Sequence, residues 1–82
     1  MIEHISRSSI IFSFNGRRVV VGGELFLDRP GDWNSGCFEV SSQSLCKWES
    51  GDDISAEDKE SLLRALVAEV EATRKLRRIE IY

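Results

Sequence analysis

Ile10-Ile11-Phe12-Ser13-Phe14-Asn15-Gly16-Arg17-Arg18-Val19-Val20-Val21 is the stretch that decides the fold. Asn-Gly between two runs of β-branched and aromatic residues is the strongest short hairpin signal, because both residues of the tight turn must take positive φ. A two-residue turn also fixes the register. Phe14 then opposes Arg17, Ser13 opposes Arg18, Phe12 opposes Val19, Ile11 opposes Val20 and Ile10 opposes Val21. Side chains alternate across a strand, so one face collects Ile10, Phe12, Phe14, Val19 and Val21 while the other carries Ser13 and Arg18. The first is the predicted core face.

Working outward, Gly22-Gly23 interrupts the pattern as a bulge or bend would, and Glu24-Leu25-Phe26-Leu27 resumes an extended run. The stretch from Asp28 to Gly36 is the richest in turn formers and reads as an exposed loop with Trp33 at its middle. Two short extended pieces follow, around Cys37 to Val40 and Ser44 to Glu49. Ser50-Gly51-Asp52-Asp53 breaks the chain. Ser55 then suits an N-cap, and Glu57 and Asp58 suit the positive end of a helix dipole. Leu62, Leu63, Leu66, Val67 and Val70 fall within an arc of roughly 140° at helical periodicity, with Glu60, Arg64, Glu71 and Lys75 at its edge or opposite. Alternation in Arg78-Ile79-Glu80-Ile81-Tyr82 predicts a last strand. The expected fold class is α+β: an antiparallel β-meander packed on one amphipathic helix (about 56–75), with a C-terminal strand, in a single domain spanning 1–82. Its predicted core is Ile10, Phe12, Val19, Val21, Leu62, Leu66, Val67, Val70, Ile79 and Ile81.

Composition agrees with one folded unit: 82 residues suffice for a single core, and 41% hydrophobic with 30% charged residues lies near the globular average. No apolar run approaches the roughly 18 residues of a membrane span, and Met1-Ile2-Glu3-His4 lacks the basic start of a secretory signal. Two cysteines, Cys37 and Cys46, fall short of the framework of a small secreted fold. Free thiols and a cytoplasmic location are therefore expected, without membrane attachment.

Chemistry is scarce. His4 is the single histidine and has no obvious partner in sequence. Cys37 and Cys46 fit no zinc-ligand spacing, and Gly22-Gly23-Glu24 matches neither phosphate-binding glycine motif. Arg17-Arg18 and the Arg74 to Arg78 cluster lack interleaved aromatics, which argues against nucleic acid. The expectation is a protein that is no enzyme, with no cofactor and no metal. Charge, however, is uneven. From Glu24 to Glu60 there are ten acids against Arg29, Lys47 and Lys59, giving −7 in a chain of net −3. Such a segment attracts a basic partner. With Trp33 on the loop as a candidate hot spot, the predicted partner-binding residues are Asp28, Asp32, Trp33, Glu49, Asp52 and Asp53.

The order of features also resembles a short immunity-protein family of bacterial polymorphic toxin systems. The resemblance is carried by the Ile10 to Val21 hairpin with its Asn15-Gly16 turn, Glu24 after the glycines, and Phe38-Glu39-Val40. It continues through Leu45 to Trp48-Glu49, Ile54-Ser55 leading into the helix, and Ile79-Glu80-Ile81. It implies a cytoplasmic protein that binds and neutralises a cognate toxin domain without catalysis. The alternative reading is a small regulatory or structural module that associates through an exposed sheet edge.

Overall fold

A computed structural model describes all of residues 1–82. Five strands form one sheet in chain order: β1 (Ile2–Ile5), β2 (Ser9–Phe14), β3 (Arg17–Leu27), β4 (Gly36–Val40) and β5 (Arg78–Ile81). One helix, α1 (Ala56–Thr73), lies between β4 and β5 in sequence. The first four strands are antiparallel neighbours. Because α1 carries the chain back over the sheet, β5 joins β4 in parallel, as crossover connections do.

The β2–β3 hairpin has the expected register, from Phe14 opposite Arg17 to Ile10 opposite Val21, about a turn with Asn15 at φ 52° and Gly16 at φ 77°. Gly22-Gly23 is no interruption. β3 runs through it for 11 residues and changes partner, from β2 before Gly23 to β4 from Gly23 onward. A Cβ on Gly23 would sit 2.1 Å from the Glu39 carbonyl oxygen and 2.6 Å from the Phe38 ring, so only glycine permits this approach. Beyond the switch, Ser8 and Arg7 carbonyls still accept from the Gly23 and Leu25 amides at 3.0 and 2.9 Å.

Two elements differ from the sequence reading. β1 is a strand although Ile2-Glu3-His4-Ile5 does not alternate, because the register shifts between Ile2 and His4 and brings both isoleucines to the core side. The piece from Ser44 to Glu49 is not a strand. It follows a 3-10 turn, Ser42–Ser44, and keeps only an isolated bridge between Lys47 and Asp53. Leu45 and Trp48, three residues apart, both enter the core, a spacing that turns satisfy and strands do not.

Ser55 caps α1 by accepting from the Asp58 amide at 3.1 Å. The helix ends at Thr73 rather than at 75, because Arg74 turns left-handed at φ 54° while its amide bonds the Val70 carbonyl. Leu62, Leu66 and Val70 pack on Ile10, Phe12, Val19, Val21, Phe38 and Val40, closed at the ends by Leu45, Trp48 and Leu76. Three predicted core residues lie outside this set. Val67, at the margin of the helical stripe, and Ile79 are half-buried, and Ile81 on the edge strand is exposed. The opposite sheet face is uncovered, with Val20 49% and Phe26 47% exposed.

Leu66 is fully buried, so Leu66→Ala should cost about 2 to 5 kcal/mol in urea-unfolding measurements. Gly23→Ala should destabilise by about 1 to 3 kcal/mol or more, while Gly22→Ala, whose Cβ would meet only Ser44 Oγ at 3.6 Å, should cost less. Equal effects at the two glycines would contradict the crossing geometry.

Candidate functional site

The six predicted partner-binding residues fall into two groups at opposite ends of β3. At the hairpin end, Asp52 pairs with Arg17 at 3.0 Å, Glu49 approaches Arg18 at 3.6 Å, and Asp53 pairs with Lys47 at 3.0 Å. Arg17 also stacks over the Trp48 ring, 4.4 Å from its centroid. At the far end, Asp28 pairs with Arg77 at 2.7 Å, and Asp32 accepts from the Asn34 amide at 3.1 Å, capping the turn that holds Trp33. Each group is interleaved with basic side chains. A run of acids continuous in sequence is therefore not one acidic surface.

The Trp33 end mixes both signs, with Arg29, Arg74, Lys75 and Arg77 among Asp28, Asp32, Glu3, Glu69 and Glu71. Arg74 and Lys75 belong to no ion pair. Both line a groove of about 450 Å³ with the four residues of β1, Trp33, Asn34 and Thr73. Four successive residues of a strand can line one groove only if it runs along the strand's edge. Trp33 remains 38% exposed on its wall. Three contacts set this geometry: Asn34 Nδ2 donates to the Arg74 carbonyl at 2.8 Å, the Ile2 amide donates to the Glu69 carboxylate, and the N-terminal ammonium lies 3.5 Å from the same carboxylate. Glu3, the acid in the groove, is engaged elsewhere. Arg18 grips it at 2.8 and 3.0 Å and thereby holds its carboxyl below the usual range.

The uncovered sheet face carries a second polar arrangement. Glu24 opposes Glu39 and Glu39 opposes Glu80, a row of like charges on directly facing positions that opposes folding. Relief is confined to one end, where Arg78 lies 3.0 Å from Glu80 and the Tyr82 hydroxyl donates to Glu80 at 2.9 Å. Glu24 and Glu39 make no ion pair and share a shallow depression with Arg7 and Tyr82. Cys37 on this face and Cys46 are both free thiols, with Arg78 Nε 3.4 Å from the Cys37 sulfur. No cluster of three His, Cys, Asp or Glu side chains is placed to hold a metal ion, and no helix is long and apolar enough to cross a membrane.

No family model, no curated protein and no solved structure matches this chain. The residues that sequence reasoning missed are the β1 edge and the two unpaired cations after the helix. In sequence Arg74 opens the Arg74 to Arg78 cluster and Lys75 lies off the apolar stripe, and only the placement of β1 beside them makes them groove residues.

Tyr82 is the single tyrosine, and its phenol is pushed up to about 12 by the hydrogen bond to Glu80, by desolvation and by Glu39. The protonated phenol is the favoured form, so its contribution is present below the ordinary value of 10.0 and disappears as pH rises through about 12. Phenolate absorbance should show this raised midpoint, and Glu80→Gln should bring it back toward the ordinary value. An unchanged midpoint in that variant would remove Glu80 as the cause.

Proposed function

We propose that this chain is a non-catalytic protein-binding module that engages another protein through the groove between β1 and the Trp33 turn. The observation that carries this reading is a partly exposed tryptophan facing an unpaired strand edge. Tryptophan is the residue most enriched at binding hot spots, and an open strand edge offers backbone groups that only a partner can complete. The resemblance to short immunity proteins supplies the class of partner to test first, a bacterial toxin domain that the chain neutralises by occupying it. The sheet edge of the alternative reading supplies the means.

This version differs from neutralisation through one acidic surface. Glu49, Asp52 and Asp53 do not line the groove and are already matched with Arg18, Arg17 and Lys47. Their charges act as exposed pairs, which are worth little individually. Buried aromatic anchors act chiefly through dissociation rates, whereas peripheral charges act through association.

Co-expression with any toxin domain encoded beside this chain's gene, followed by binding kinetics, tests the reading. Trp33→Ala should lose about 2 kcal/mol or more of affinity, mainly by faster dissociation. Charge reversal at Asp52 and Asp53 should leave protection intact. Full protection by a well-folded Trp33→Ala variant would exclude the groove, and absence of protection by the unaltered chain would exclude the toxin as partner.

A further inference from the structure

We propose that the β1 groove receives an extended acidic segment of the protein partner, which adds to the sheet as a strand beside β1. The inference rests on the function proposed above and names the chemistry of what the groove takes. β1 pairs with β2 alone, so its second edge carries no strand along the groove, and of its outward amides the one at Ile2 is taken by Glu69. The structure already shows what that edge accepts. The Ile2 amide points away from β2 and donates to a carboxylate, Glu69, which also neutralises the N-terminal ammonium. A partner strand carrying carboxylates extends the same pattern toward Ile5.

Charge selects the occupant. Arg74 and Lys75 stand on the rim without ion-pair partners; of the acids nearby, Glu3 is held by Arg18, Asp28 by Arg77, Asp32 by the Asn34 amide and Glu69 by the N-terminus, and Glu71, about one turn earlier, pairs with neither cation. An acidic strand gains both free cations, and a basic one meets them unscreened. Trp33 offers an aromatic surface to a side chain of the incoming strand, which is how strand addition acquires specificity beyond its main-chain bonds. Nucleic acid is the less suited polyanion, because the chain is −3 overall and the adjoining uncovered face carries Glu24 and Glu39.

The test uses the full chain and a fluorescently labelled peptide of alternating Val, Thr and Glu, read by anisotropy and by backbone amide shifts. Binding should perturb the His4 and Ile5 amides. Replacing Glu by Lys in the peptide, or N-methylating alternate peptide amides to remove strand pairing, should abolish it. Lys75→Glu, and Arg74→Glu with Lys75→Glu, should each weaken binding, the pair by about tenfold or more, at an unchanged melting temperature in Lys75→Glu. Failure of the acidic peptide to bind, indifference to N-methylation, or equal binding of the Lys peptide or a single-stranded oligonucleotide would overturn the proposal. A folded partner whose binding needs Trp33 but survives the double reversal would retain the proposed function and eliminate strand addition. Indifference to Trp33 would eliminate both.

Discussion

The close crossing at Gly23 is the constraint on which the remaining architecture depends. Placing a backbone carbonyl and an aromatic ring where a Cβ would stand allows β3 to leave β2 and take β4 without ending. A single 11-residue strand thus serves two half-sheets, and the core on its inner face runs continuously from Val19 and Val21 to Leu25. In a flat sheet β1 would lie some 14 Å from β4, at about 4.8 Å per strand spacing, yet β1 and the turn entering β4 line one groove. The Trp33–Ser35 turn reaches across, tied to the end of α1 by the Asn34 bond to the Arg74 carbonyl.

What was legible in the sequence was local. The hairpin register followed from a turn that admits only one pairing, and the helix followed from a cap and a stripe within one continuous segment. Where a second chain segment decided the outcome, reading failed. Ile2 and Ile5 reach the same side of the sheet only because an irregularity falls between them, and no alternation announces it. Leu45 and Trp48 were read as strand residues because extended and turn-rich apolar pairs differ by one residue of spacing; the bonds that settle it run from Trp48 to Asp52, from Gly51 to Trp48, and from Glu49 to Arg18. The helix end moved by two residues because the Arg74 carbonyl is held by Asn34, 40 positions away.

The distribution of charge depends on the fold for a related reason. Counting acids along the chain assumes that sequence neighbours remain spatial neighbours, which holds on a helix face or within one loop. Here the counted segment includes the second half of β3, all of β4 and the first turn of α1, elements that pack on different parts of the fold. Each end then meets arginines and lysines from elsewhere: Arg17 and Arg18 at the hairpin, Arg77 beyond the helix. Summed charge in sequence is a statement about long-range steering, and local field is set by which distant residues fold onto it. By that measure the Trp33 end carries two cations, Arg74 and Lys75, in no ion pair, although its loop belongs to the acidic run.

Arg74 gives this end its most specific feature. A left-handed residue after a helix is ordinarily glycine, which adopts the conformation freely, whereas a residue with a Cβ gives up about 1 to 2 kcal/mol there. Asn34 offsets part of that cost by binding the Arg74 carbonyl, and the Val70 carbonyl takes its amide. Neither bond requires a side chain on residue 74. What arginine adds over glycine is a guanidinium on the rim of the groove, and it has no ion-pair partner within the chain. The guanidinium is exposed, so water solvates it, and neither bond at the cap depends on it. The left-handed cap places it on the groove rim at a backbone cost that Asn34 partly offsets, which is where the proposed acidic segment would meet it.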